Sequence, residues 1–136
     1  MTLTAGDRLP DLERTVTLTD MIAYAGATWD WHRLHYDPAY LAAKRLPAPV
    51  VDGQLFGALL VQQAQDWLGP QAVVRRLHFR FKELVFAGET VRCVADVSRV
   101  AREADGTVVH LDARVEIVDR AATAVAPAGL EVVVRR

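Results

Sequence analysis

The densest set of reactive side chains in this sequence is Trp29-Asp30-Trp31-His32-Arg33-Leu34-His35-Tyr36-Asp37. Asp30 and His35 are the pair in it that could move protons. A carboxylate can draw a proton from water while an imidazole returns one to a substrate. Five residues apart on a helix, the two would point about 140° away from each other. They converge on one water only if the chain between them is irregular. Thr28 to Asp37 carries no clean helical or strand period, so a loop is expected there. Trp29 is expected to wall the carboxylate from water. Two other uses of these groups stand beside this one. They could simply cap helices and bond the backbone, or Asp30, His32, His35 and Asp37 could ligate zinc or iron.

Such a loop has to be held by the elements around it. Arg14 to Leu18 has strand character, and Thr17 or Thr19 can cap a helix from Asp20 to about Ala27. Asp20 is favourable in the first turn of that helix. Asp37-Pro38 starts a short helix through Lys44, because Asp caps and Pro fits the first helical position. Pro47 and Pro49 keep Arg45 to Val51 out of any helix interior. Asp52 can cap a longer helix from Gly53 to Leu68, which Gly69-Pro70 stops. At 1.5 Å per residue it is about 24 Å long, enough to cross a sheet. Leu55 to Val61 is apolar on every side, which predicts burial all round. Gln62 to Asp66 turns polar and is expected to emerge into solvent.

After Pro70 the period changes to two. Leu77, Phe79 and Phe81 alternate with Arg76, His78, Arg80 and Lys82, as in a half-buried antiparallel strand. Val91, Cys93, Ala95 and Val97 share one face of a second strand. Val109, Leu111, Ala113, Val115 and Ile117 share one face of a third, and Asp105-Gly106 between the two is a hairpin signal. Leu130 to Val134 forms a last strand, with a bulge or a sheet edge expected at Pro127 to Gly129. One buried helix followed by three or four long strands implies an α+β fold, a curved antiparallel sheet wrapped around the helix. One small sheet cannot cover such a helix on all sides. A partner chain or the N-terminal segments must cover the rest, although residues up to about Glu13 are expected to lie along the surface.

The 136 residues suit a single domain over 1–136. A net charge of -1 lacks the basic footprint of a nucleic-acid binder. The lone cysteine, Cys93, excludes an internal disulfide, and its strand-like setting reads as a buried small hydrophobe. The segment Met1 to Asp7 has neither the basic region nor the apolar core of a signal peptide. No apolar stretch is long enough to span a bilayer. The expectation is a cytoplasmic protein with no membrane contact.

Asp30-Trp31-His32-Arg33-Leu34-His35 resembles the Asp-x-Asn-Pro-x-His signature of MaoC-like hydratases and dehydratases, which have the hot-dog fold. Asp37-Pro38 and Ala42 continue that pattern. Val50-Val51-Asp52-Gly53-Gln54-Leu55 is similar to the family's entry into its central helix, and Arg80 to Val91 to its strand-turn-strand. The likeness runs from about Thr15 onward. Trp29 stands where Gly is usual, His32-Arg33 replace Asn-Pro, and Asp52 replaces a frequent His.

The resemblance implies an enoyl thioester hydratase or 3-hydroxyacyl thioester dehydratase, with Asp30 and His35 catalytic and neither metal nor cofactor. The substrate implied is an acyl-CoA or an acyl-carrier-protein thioester, with His32, Asp52, Gly53 and Gln54 as substrate-binding residues. Both catalytic groups are expected on one water, in a narrow apolar slot that ends at Gly53. Backbone N–H groups there carry positive partial charge and suit an enolate oxygen, and Gly53 has no side chain to block its approach. Arg75, Arg76, Arg80 and Lys82 could meet coenzyme A phosphates or stay solvated, as His78 and His110 are expected to be. A homodimer, or a heteromer with a second hot-dog domain, is implied as well. Two rivals remain: a hot-dog thioesterase in which Asp52 activates water, and a non-catalytic partner that completes another domain's acyl tunnel. An intact Asp30/His35 pair argues against the second.

Overall fold

A computed structural model describes residues 2–135, so Met1 and Arg136, the ends of the expected 1–136 domain, lie outside the described residues. The chain runs β1 (Leu12–Thr15), α1 (Leu18–Thr28), a 3₁₀ turn (Arg33–His35), α2 (Pro38–Ala43), α3 (Gln54–Leu68), β2 (Ala72–Phe81), β3 (Thr90–Glu103), β4 (Gly106–Ile117), a second 3₁₀ turn (Val118–Arg120) and β5 (Ala122–Arg135). The strands form one antiparallel sheet in the order β1-β3-β4-β5-β2. The expected curled sheet around a long helix is present.

Local chemistry sets the helix starts. The Thr17 hydroxyl accepts from the Asp20 N–H while the Asp20 carboxylate accepts from the Thr17 N–H, a reciprocal cap. It starts α1 two residues earlier than the expected Asp20. Asp37 caps α2 through the N–H groups of Ala39 and Tyr40. Asp52 Oδ1 accepts from the Gln54 N–H at 2.9 Å and so opens α3. Gly69, at φ 87°, ends it.

The burial of α3 corrects the front-and-back expectation. Phe56, Leu59, Leu60, Gln63, Ala64 and Leu68 are buried against the sheet, while Gln54, Ala58, Gln62 and Gln65 are exposed. Positions 54, 58, 61, 62 and 65 form one stripe at helical spacing, so an open face runs the length of the helix. Gln63 belongs to the half expected to emerge, yet it is 3% exposed. Its side-chain N–H groups donate to the carbonyls of Pro10 and Cys93, which ties α3 to β3 and to the N-terminal segment.

That segment does more than lie on the surface. Leu9 is fully buried and its N–H donates to the Ala95 carbonyl. Arg8 grips Asp96 at 2.8 Å, and β1 pairs Leu12–Thr15 with Thr90–Cys93. Cys93 is buried, as expected, and burial pushes its thiol up to about 12, where it is no nucleophile.

Leu77, Phe79 and Phe81 occupy one face of β2, as their alternation predicts. They meet α3 along a seam of two glycines one helical turn apart. A Cβ on Gly57 would lie 2.8 Å from the Phe79 ring, and one on Gly53 would lie 2.4 Å from the Phe81 ring. Carbon atoms do not approach that closely, so a side chain at either position would force the phenylalanine ring or the helix to shift. The β3–β4 turn is Ala104-Asp105, one residue before the expected Asp105-Gly106. Pro127 falls in a register shift of β5, but β5 is internal to the sheet. The expected bulge is therefore present and the expected edge is not. Among the described residues, no helix is long and apolar enough to cross a membrane.

Candidate active site

Asp30 is delivered by the end of α1. Trp29 takes the left-handed conformation, φ 59°, and the N–H groups of Trp29 and Asp30 both reach the Ala25 carbonyl. Glycine adopts that φ without cost, which explains why a glycine suits this position. Here the Trp29 ring points into solvent, 79% exposed, so it does not wall the carboxylate as expected.

His32 organises the next turn. Its Nδ1 accepts from the Leu34 N–H at 3.0 Å and its own N–H donates to Asp30 Oδ1 at 3.3 Å. The ring packs edge-on against Tyr40. Arg33 pairs with Asp37 at 2.7 Å. That guanidinium, with the Tyr40 and Ala39 N–H groups, holds the Asp37 carboxyl below the usual carboxylate range. The loop expected at Thr28 to Asp37 is thus a tight 3₁₀ turn bounded by His32 and Asp37.

The turn aims His35. Its Nδ1 lies 2.7 Å from the Val50 carbonyl oxygen. A carbonyl only accepts, so Nδ1 carries the hydrogen and Nε2 is the end left for chemistry. Val50 is itself fixed, its N–H on the Leu34 carbonyl and the Val51 N–H on Val85.

The result is a convergence. One donor atom from each of Asp30, His35 and Asp52 lies within 4.8 Å of the others. One water making two 2.8 Å hydrogen bonds at a tetrahedral angle spans about 4.6 Å, so the separation between Asp30 and a ring nitrogen of His35 is of the size that one water bridges. Asp52, which marks the helix entry in sequence, joins them. The alternative quartet of Asp30, His32, His35 and Asp37 does not assemble as such. His32 Nδ1 is committed to Leu34, and Asp37 to α2 and Arg33.

Beside His35 opens a mainly apolar pocket of about 230 Å³, bordered by Leu34, Val50, Val51, Gly53, Phe56, Phe81 and Val85, among others. Of the expected slot, His35 and Gly53 border this pocket, whereas Asp30 is not among its lining residues. The Gly53 N–H has no partner among the described residues, since Asp52 takes the N–H groups of Gln54 and Leu55. Gly53 does not leave open space, however, because the Phe81 ring lies over it. The four expected substrate-binding residues therefore separate. Gly53 borders the pocket, Asp52 joins the acid–base cluster, Gln54 faces the open side of α3, and His32 supports the turn. Lys82 borders the pocket too, whereas Arg75 is held by Glu103 and Glu131.

Sequence reasoning missed Tyr24. Burial pushes its phenol up, and the charges of Asp52 and Asp30 push it further. It stays a hydrogen-bond donor beside two carboxylates. Its only advance signal is a polar-tipped aromatic in the helix that delivers Asp30.

The wall of the pocket hangs on Arg120, which holds Glu89 at 2.7 Å and Glu83 at 2.9 Å and also donates to the Leu84 carbonyl. Arg120 first of all, then the Phe86 N–H, keeps the Glu89 carboxyl below its ordinary 4.5. A lowered carboxyl pKa gives stability that is present above the ordinary value and lost as pH falls through the folded one. Acid unfolding of the wild type is thus expected to steepen below about pH 4.5. Arg120→Ala should remove that component and cost about 1 kcal/mol at neutral pH, discounted for exposure. Urea midpoints across pH read both; parallel curves for the two proteins would refute the assignment.

Residues 3–120 match the family model described as MaoC like domain. An (R)-specific enoyl-CoA hydratase of Aeromonas caviae is 30% identical over 108 residues, 76% of this chain and 77% of that protein. Among solved structures, the (R)-hydratase of A. caviae involved in PHA biosynthesis superposes with a TM-score of 0.87 at 25% identity, over 98% of each chain. A chain of the ChsH1-ChsH2 complex from Mycobacterium tuberculosis gives 0.87 at 22% identity, over 98% of this chain and all of that one. The architecture is the hot-dog fold.

Proposed function

The chain belongs to the MaoC-like domain family of hydratases and dehydratases, and from that premise we propose that it adds water to an enoyl thioester, or removes water from a 3-hydroxyacyl thioester, through Asp30 and His35. The observation that carries this reading is the convergence of Asp30 and His35 within 4.8 Å, with His35 Nε2 freed by the Val50 carbonyl. In hydration, Asp30 takes a proton as the water oxygen bonds to the β carbon. The double-bond pair moves to the α carbon and the thioester oxygen. The unpartnered Gly53 N–H at the start of α3 suits that oxygen. Asp30 passes that proton to the vacant Nε2 of His35, which delivers it to the α carbon, so both groups return to their starting state; dehydration runs the steps backwards.

Acyl-CoA is the substrate class proposed, with (R)-3-hydroxyacyl products, on the strength of the 30% identical relative. An acyl-carrier-protein thioester offers the same reacting end. Neither metal nor cofactor has a step in this route.

The open α3 stripe and Leu77 and Phe79 of β2 line a groove of about 400 Å³. Among the described residues, the outer edge of β2 has no strand partner. A second hot-dog domain placed there would cover the helix and continue the sheet. Size-exclusion chromatography with light scattering is expected to give twice the chain's mass, or a complex with a second chain. A stable monomer counts against it.

The deciding assay is loss of enone absorbance on crotonyl-CoA, longer enoyl-CoAs and a steroid-type enoyl-CoA. Release of free thiol would instead support hydrolysis, with Asp52 activating the water. Turnover only after adding a second hot-dog chain would support the partner-subunit reading, which the likeness to a chain of the ChsH1-ChsH2 complex favours.

A further inference from the structure

Phe81 takes no part in the proton chemistry, yet it stands at the reacting end of the pocket. It is the last residue of β2, and the ladder to β5 shifts register between Phe79 and Phe81. The residue is 55% exposed, and its ring meets Phe79 edge-on at 5.5 Å. It fills the place a Gly53 side chain would take, since a Cβ there would lie 2.4 Å from Cζ and 2.5 Å from Cε1. Ring and glycine border the same pocket as His35. A thioester whose carbonyl oxygen reaches the Gly53 N–H must lay its first acyl carbons against this ring.

Lys82, Glu83 and Leu84 of the pocket lining are exposed, but the part of the wall around Gly53 is close-packed. Val50, Val51, Phe56 and Val85 are buried, and the N–H groups of Val50 and Val51 are tied to neighbouring segments. A close-packed, backbone-tied wall does not yield to a larger ligand. Phe81 is the large side chain over Gly53 that is free on one side, so the width of the slot beside the thioester is set by its ring.

Resting on the hydratase reading above, we infer that Phe81 is the specificity-determining residue of the acyl site. It admits flat, unbranched acyl groups and excludes those that carry a branch at the carbons next to the thioester carbonyl. A hydrophobic wall discriminates by about 10- to 200-fold per methylene, and removing a ring opens room for several.

The test compares crotonyl-CoA with its 2-methyl-branched analogue on wild type, Phe81→Ala, Phe81→Leu and Phe81→Trp. The branched-to-linear ratio of kcat/KM is expected to rise at least about tenfold in Phe81→Ala, less in Phe81→Leu, and to fall in Phe81→Trp. Gly53→Ala should lower turnover of the linear substrate, and by less when Phe81 is already Ala, because the two side chains compete for one space. An unchanged ratio across the folded variants overturns the inference. Calorimetric affinities for butyryl-CoA and 2-methylbutyryl-CoA read the same wall without turnover. A ratio that shifts in Phe81→Ala without any hydration would sink the hydratase reading and keep the wall, whereas an unshifted affinity ratio sinks the wall itself.

Discussion

Asp30→Asn is expected to lower hydration of an enoyl thioester by on the order of a hundred- to ten-thousand-fold in a protein that still folds. Asparagine keeps the oxygen that accepts from the His32 N–H and removes only the base. His35→Ala is expected to cost about as much, through a different loss: the Nε2 that the Val50 carbonyl orients. Groups acting on one water are not additive, so the double variant should be little worse than either single one. Asp52→Asn keeps the cap to Gln54 and removes the second carboxylate of the cluster, and a smaller loss is expected. Initial rates from enone absorbance, with circular dichroism as the folding control, measure all four. Near-native turnover by a folded Asp30→Asn variant would falsify the assignment of the base.

Leu60→Ala is expected to carry the largest stability loss, about 2–5 kcal/mol. Leu60 is 1% exposed in the core between α3 and the sheet. Its truncation removes buried methyl groups and leaves a gap that the strands, tied to one another on both sides, cannot close. The midpoint of urea unfolding should fall with little change in slope. The exposed Ala58, two residues earlier on the same helix, is the internal contrast: Ala58→Ser should stay within about 0.5 kcal/mol in the isolated chain. A loss below 1 kcal/mol at Leu60 would show that the sheet relaxes onto the helix.

What was readable in the sequence is local. Asp37-Pro38, Asp52 and Gly69 act as caps because their side chains or φ preferences answer to neighbours a few residues away. The alternation through Leu77, Phe79 and Phe81 reports a two-faced strand for the same reason. The pairing of Arg8 and Leu9 with β3 lies some 90 residues off along the chain and leaves no period in a segment broken by Gly6 and Pro10. The open stripe on α3 was hidden because Ala58 and Val61 are apolar, and apolarity alone does not say which face meets the sheet. Within the candidate site, Asp30 and His35 were legible as a pair from residue type, and Gly53 through the resemblance of Val50 to Leu55 to the family's helix entry. Asp52 looked like a cap, and it is one. That it also reaches Asp30 and His35 depends on the 3₁₀ turn folding back over Val50, which no local pattern announces. Tyr24 was hidden in the same way, since the charges of Asp52 and Asp30 that act on its phenol come from outside its helix.

The strand order also sets a timetable for assembly. Among the described residues β2 pairs as a strand with β5 alone, whose first residue comes about 40 positions after β2 ends. At roughly 5–20 residues per second of synthesis, the aromatic edge that seats the two glycines of α3 waits seconds for its backbone partner. Until β5 is made, Phe79 and Phe81 sit on an unpaired apolar strand, the kind of surface that chaperones bind and that aggregates seed from. The hairpin of β3 and β4 can form at once, since its turn is two residues long. The helix end that presents Gly53 therefore gains its floor last, and slow or stalled translation between Phe81 and Ala122 would be felt first at the pocket.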